Sequence, residues 1–177
     1  MMKFITIVAT ILWAGTAIAQ DTLVALQNGI NHIDLDGDGV EEQIIKTWRE
    51  NYNAHGYNGY LFLGMSDVDK TMVTITLSPP KASHQDMVFS GEGVDCTYQD
   101  YFLVSNEHGI RLVKASRSIV ESFAAHEPVT FEFYQLAKND EGIPGDPYRF
   151  WQFNRTVITE QKYCDVSDAL KTEILNK

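Results

Sequence analysis

The sequence predicts a mainly β domain, antiparallel and sandwich-like, with one or two short helices and one disulfide. Three observations lead there. Runs such as Met72–Leu77 (MVTITL) and Val129–Lys138 (VTFEFYQLAK) are rich in β-branched and aromatic residues and alternate in polarity. Turn residues recur between such runs, as in Asn28-Gly29, Ser78-Pro79-Pro80, Glu107-His108-Gly109 and Pro144-Gly145-Asp146-Pro147. Two cysteines, Cys96 and Cys164, stand far apart in the chain.

Residues 1–19 read as a secretory signal peptide. Lys3 supplies the positive start, Phe4 to Trp13 the apolar run, and Ala17-Ile18-Ala19 the small-residue cleavage site. The run is too short for a permanent membrane span, and no later segment is long and apolar enough to be one. The sequence thus predicts a bacterial export signal and a mature domain, 20–177, in the periplasm or outside the cell. Export to an oxidising compartment makes a Cys96–Cys164 disulfide the default. Removal of the leader takes away Lys3, so 13 basic residues face 24 acidic ones. That surface repels nucleic acid and anionic headgroups, and it is compatible with a cation or a small ligand.

Taken in order, a strand around Thr22–Gln27 leads to the Asn28-Gly29 turn and a short strand, Asn31–Ile33. An acidic loop follows, then a long strand running through Ile44 towards Tyr57. Tyr57-Asn58-Gly59 reads as a turn, Tyr60–Gly64 as a short apolar strand, and Ser66–Lys70 as a polar turn. Met72–Leu77 is a strand that Ser78-Pro79-Pro80 stops, because proline has no N–H for a ladder. Lys81–Gly93 reads as a long surface loop. Val94–Asn106 and Ile110–Arg117 form a hairpin about Glu107-His108-Gly109. Ser118–Glu127 suits a short helix, with Ser118 as its cap and Pro128 beyond it. The strands Val129–Lys138 and Tyr148–Glu160 flank the loop 139–147. A helix, Asp165–Leu175, closes the chain, with acids in the first turn where the helix dipole favours them.

The acidic loop carries the ion-binding signal. In IDLDGDGVEE, Asp34, Asp36 and Asp38 alternate, Gly39 follows at once, and Glu42 closes the group. Hard divalent ions such as Ca²⁺ take six to eight oxygens, and acids at loop positions 1, 3 and 5 supply the first three. Val40 would add its backbone carbonyl and Glu42 a ninth-position contact. Position 12 is Ile45, so the bidentate glutamate of an EF-hand is missing, and the flanks read as strands. The loop is therefore either a structural calcium site between two strands or a solvated Asp-Gly hairpin turn.

The strand beyond it offers a candidate ligand face. Alternation puts Arg49, Asn51, Asn53 and His55 on one side. Arg49 could fork onto a carboxylate while the other three hydrogen-bond the rest of a small molecule. An ordinary polar outer face of an antiparallel strand has the same pattern.

Two segments, Asn28 to Tyr57 (NGINHIDLDGDGVEEQIIKTWRENYNAHGY) and, more loosely, Gly93 to Val104 (GVDCTYQDYFLV), resemble the CarG-type carbapenem intrinsic-resistance proteins. That resemblance implies an exported β-rich protein that protects cells from carbapenems without being a β-lactamase. It brings no catalytic residues with it.

The expectation is therefore a non-enzyme that binds a carbapenem or related carboxylate, or shields its target, with Ca²⁺ as a structural ion. A partner-binding envelope protein is the alternative, and a metal-assisted hydrolase a weaker one. The chain has no SxxK with its partner motifs, no GxSxG and no HExxH, and its histidines are scattered singly. The sequence leaves the oligomeric state open, a homodimer included.

Overall fold

A computed structural model gives the fold, describing residues 20–53, 55–93 and 96–176. The expected leader, 1–19, lies outside the described residues, as does Val94, the expected first residue of a strand. Among the described residues eleven strands occur: β1 (Thr22–Val24), β2 (Gly29–Ile33), β3 (Glu42–Arg49), β4 (Tyr57–Met65), β5 (Met72–Ser78), β6 (Met87–Phe89), β7 (Gly91–Glu92), β8 (Thr97–Asn106), β9 (Gly109–Arg117), β10 (Glu127–Lys138) and β11 (Arg149–Tyr163). The chain ends in a short helix, α1 (Val166–Leu170), continued by a π-helical turn, Lys171–Leu175. Among the described residues no helix is long and apolar enough to cross a membrane.

The expected β class is what forms, but the strands make one curled mixed sheet. Its order is β1-β8-β9-β10-β11-β5-β4-β3-β2, with β6 added to β4 and β7 to β8. The pairing of β5 with β11 is parallel, Ile75 opposite Arg149, and it joins an antiparallel half on each side. Parallel neighbours need a long crossover, here everything from β6 to β10. The outermost strands, β1 and β2, are consecutive in the chain with only residues 25–28 between them, so the sheet must curl until its edges nearly meet.

Curling produces two cores. Inside, Ile44, Phe62, Ile75 and Leu77 of one half meet Leu103, Leu112, Tyr134 and Trp151 of the other. Outside, Val113, Val129, Phe131 and Phe133 pack under Val166, Ala169 and Leu170 of α1. The middles of β8 to β10 therefore carry apolar residues on both faces, as in Leu103-Val104 and Leu112-Val113. The Cys96–Cys164 disulfide forms as expected, with its Cα atoms 5.6 Å apart. It fastens the entry of β8 to the entry of α1. Asp165 reinforces it by capping α1 through the Ser167 amide (2.7 Å) and accepting from the Thr97 amide (3.1 Å).

Five local expectations are corrected. The long strand stops at Arg49, and Tyr57–Gly59 opens β4 instead of forming a turn. Tyr52 adopts φ 55°, a left-handed conformation that no strand can contain. Ser118–Glu127 forms no helix, because Arg117 claims its carbonyls: Nη1 donates to Ser118 O and Nη2 to Phe123 O. Pro128 does not end an element but sits inside β10 beside a bulge, where its missing N–H costs nothing and Thr159 Oγ1 accepts from the next amide at 2.9 Å. Lys81–Gly93, expected as loop, contains β6 and β7.

The disulfide closes a loop of sequence separation 68, so its loss releases much chain entropy. The double substitution Cys96→Ser/Cys164→Ser is expected to lower unfolding stability by about 4 kcal/mol. A denaturant titration of the two forms measures this.

Candidate functional site

The acidic residues occupy the turn of the β2–β3 hairpin, whose last paired residues are Ile33 and Glu42. The turn is built by its own side chains. Asp34 accepts from the amides of Gly37 (Oδ1, 2.8 Å) and Gly39 (Oδ2, 2.9 Å), and both glycines have positive φ, 77° and 86°. Asp38 Oδ1 accepts from the Val40 amide at 2.8 Å. Leu35 plugs the turn into the inner core, and its amide donates to Glu42 Oε2 at 2.8 Å.

One carboxylate oxygen each from Asp34, Asp36 and Glu42 lies within 4.8 Å of the others. Of the four expected side-chain ligands, Asp34, Asp36, Asp38 and Glu42, the structure brings these three together. The Asp38 carboxylate accepts from the Val40 amide and lies outside this group.

The residue that sequence reasoning missed is Arg149. It is 3% exposed, and its guanidinium donates to Glu42 Oε1 (2.7 Å) and Asp36 Oδ2 (2.6 Å). Glu42 is itself 1% exposed. The parallel β5–β11 pairing delivers Arg149 to this spot from more than a hundred residues away. Gly64 makes room for it, since a Cβ there would stand 2.9 Å from Arg149 Nη1. No local signal marks Arg149, an arginine at the start of a strand after a Pro-Gly loop.

The donor set is hard oxygen, which suits Ca²⁺ or Mg²⁺ better than a transition metal. Arg149 offsets one of the three clustered charges. Two negative charges then remain, the charge of a single divalent ion. The cluster could hold such an ion, with Arg149 donating to one oxygen each of Asp36 and Glu42.

The other expected group does not form one strand face. Arg49 ends β3 and lies over the Tyr57 ring, 5.3 Å from its centroid, donating to the Tyr57 hydroxyl. Asn51 Nδ2 donates to His55 O (2.7 Å), and Asn53 Oδ1 accepts from the His55 amide (2.9 Å). Both asparagines are therefore engaged in shaping the hairpin loop. The His55 ring reaches across to Glu92 O (3.2 Å) and Phe123, lining a cavity of about 290 Å³ with Tyr57 and Tyr98.

A smaller cavity, about 220 Å³, sits at the seam of the curled sheet between residues 23–26, Lys46, Tyr60 and Asp100. Here the Tyr60 hydroxyl donates to Asp100 Oδ1 at 2.8 Å, and the Tyr101 amide donates to the same oxygen at 2.8 Å. Burial pushes the Asp100 carboxyl up, and these two hydrogen bonds only partly oppose it. Burial and the neighbouring Asp100 also raise the Tyr60 hydroxyl.

These features describe a class: a disulfide-fastened curled sheet with an arginine-clamped acidic hairpin. The family model described as "Carbapenem resistance protein CarG-like" matches residues 26–172. The crystal structure of CarG matches with a TM-score of 0.73 over 86% of this chain and 95% of that chain, at 22% identity. At that identity the likeness establishes the fold. No curated protein matches the chain. The chain belongs to the CarG-like family.

Two outcomes follow from this geometry. Arg149→Met strands the buried Glu42 carboxylate and is expected to cost about 3–5 kcal/mol in a denaturant melt, whereas Arg149→Met with Glu42→Gln recovers part of that loss. Asp100→Asn keeps an acceptor for Tyr60 and Tyr101 and removes a destabilised charge. A carboxyl raised on folding lends stability below its unfolded pKa and loses it as pH rises through the folded one. The variant should therefore melt higher than the parent at neutral pH, and the gain should vanish as the pH falls below about 3.9. Melting curves across that range check it.

Proposed function

We propose that the protein is an exported, non-catalytic carbapenem-resistance protein that protects by binding the drug or shielding its target, with a structural Ca²⁺ at the acidic hairpin. The family match over residues 26–172 carries this reading. Export draws support from the Cys96–Cys164 disulfide, which an oxidising compartment maintains.

The roles the side chains already fill support the non-catalytic part. Arg149 donates to one oxygen each of Asp36 and Glu42, and Glu42 also accepts from the Leu35 amide, so these carboxylates are engaged in holding the turn. His55 lies on a hairpin loop with a backbone carbonyl on its Nδ1. The role of the ion is structural. It offsets the charge left by Asp34, Asp36 and Glu42 and so keeps the β2–β3 turn closed over Leu35. Asn51 and Asn53 hold their own loop, so of the four expected ligand contacts Arg49 and His55 remain to offer a guanidinium and a ring.

Calorimetric titration of the metal-loaded protein with a carbapenem, followed by a mass check of the drug, tests the reading. Heat with intact drug is the expected result; hydrolysed drug overturns the non-catalytic assignment, and no heat leaves target shielding as its sole form. Calcium added to chelator-stripped protein should stabilise it, by about 2.7 kcal/mol at a hundredfold excess over the dissociation constant. An unchanged melt would remove the ion from the proposal.

A further inference from the structure

A cavity of about 540 Å³ opens at the mouth of the curled sheet, on the far side of Tyr101 from the seam cavity's Lys46 and Asp100 and lined by none of the acidic hairpin residues. Strand register explains its floor. Across β8, β9 and β10, Leu103, Leu112 and Tyr134 stand opposite one another and belong to the inner core. The next row on the same face is Tyr101, Lys114 and Glu132, and the row beyond is Gln99, Ser116 and Thr130. The inner face therefore changes from apolar to polar on leaving the core, and the cavity sits over that change. Opposite the polar row stand Pro80, Met87 and Phe89.

Lys114 Nζ and Glu132 Oε2 pair at 2.9 Å, about three-quarters buried, and the fully buried Tyr134 donates its hydroxyl to the same oxygen at 3.1 Å. Glu132 is thus held from two sides and cannot swing away. The lysine has three donors, and this pair uses one. Volume and lining, apolar on one wall with a few convergent polar groups on the other, suit a small-molecule site.

Charge selects the ligand class. A bare anion that reaches Lys114 also meets Glu132, and a bare cation meets Lys114. The chain's net charge of −10 disfavours anions further. A zwitterion satisfies both members of the pair and carries no net charge into the field.

We propose that this cleft binds a small zwitterion, its carboxylate on Lys114 and its ammonium on Glu132, with its apolar body against Met87 and Phe89. The cleft stands without the protective reading; its extension to zwitterionic carbapenems rests on it.

The Met87 methyl reports directly on the site. Protein carrying ¹³C-methyl methionine, with the Met87 signal assigned through Met87→Leu, is titrated with alanyl-alanine, with its N-acetylated anion, and with a zwitterionic carbapenem. Met65 and Met72, paired with each other further along the β4–β5 hairpin, report on the fold. Alanyl-alanine should shift Met87 saturably, the acetylated anion should not, and Lys114→Met or Glu132→Gln should each weaken binding by about tenfold or more, the loss of one charged hydrogen bond, with Met65 and Met72 unmoved. No shift with alanyl-alanine, an equal shift with the acetylated anion, or variants that fold and bind as well as the parent overturn the proposal. A Met87 shift with alanyl-alanine but none with the carbapenem supports the cleft and separates it from drug protection. Calorimetric binding of the carbapenem without any dipeptide shift does the reverse, overturning the cleft and keeping the protective reading.

Discussion

The guanidinium of Arg149 is the tie on which the acidic hairpin depends. It is buried between Asp36 and Glu42, and Glu42 in turn holds the Leu35 amide. A buried carboxylate is costly without a partner, and a buried guanidinium equally so; each is tolerable here because the other pairs with it. The constraint propagates. Arg149 must begin β11, β11 must run parallel to β5, and residue 64 must lack a side chain. The hairpin turn and the only parallel junction of the described sheet are thus one structural unit.

That junction sets the shape of the rest. With β5 and β11 side by side, the two antiparallel halves form one surface, and its edges, β1 and β2, are drawn together by the short link between them. The inner face closes into a core; the outer face of β8 to β10 is left apolar and is covered by α1. The disulfide and Asp165 fix that cover at its entry, where Asp165 serves two amides from different elements. Burial would raise this carboxyl, but hydrogen bonds led by Ser167 outweigh burial and hold it below the usual range. The cap is therefore charged under ordinary conditions, which strengthens its hydrogen bonds.

Several elements were legible from local sequence. The alternation of Met72–Leu77 and Val129–Lys138, the Gly109 turn and the acid–glycine turn of the β2–β3 hairpin depend on neighbours a few residues away, and each forms where expected. The failures share another cause. Ser118–Glu127 has helical spacing, yet its carbonyls answer to Arg117. Glu50 Oε1 accepts from the Tyr52 amide, and that turn ends a strand whose alternation would have continued. In each case a side chain bonded to backbone a few residues on decided against the periodic pattern.

Sequence by itself determined the β class, the disulfide partners and the carboxylates of the hairpin, because turn chemistry, alternation and a count of two cysteines are local or exhaustive facts. Only the tertiary structure decided what faces those carboxylates, that a lysine and a glutamate meet on a concave floor, and that one strand pair runs parallel. Contacts of that kind join residues separated by tens to more than a hundred positions. Their energies depend on which groups are buried together, a quantity that exists only once the sheet has curled.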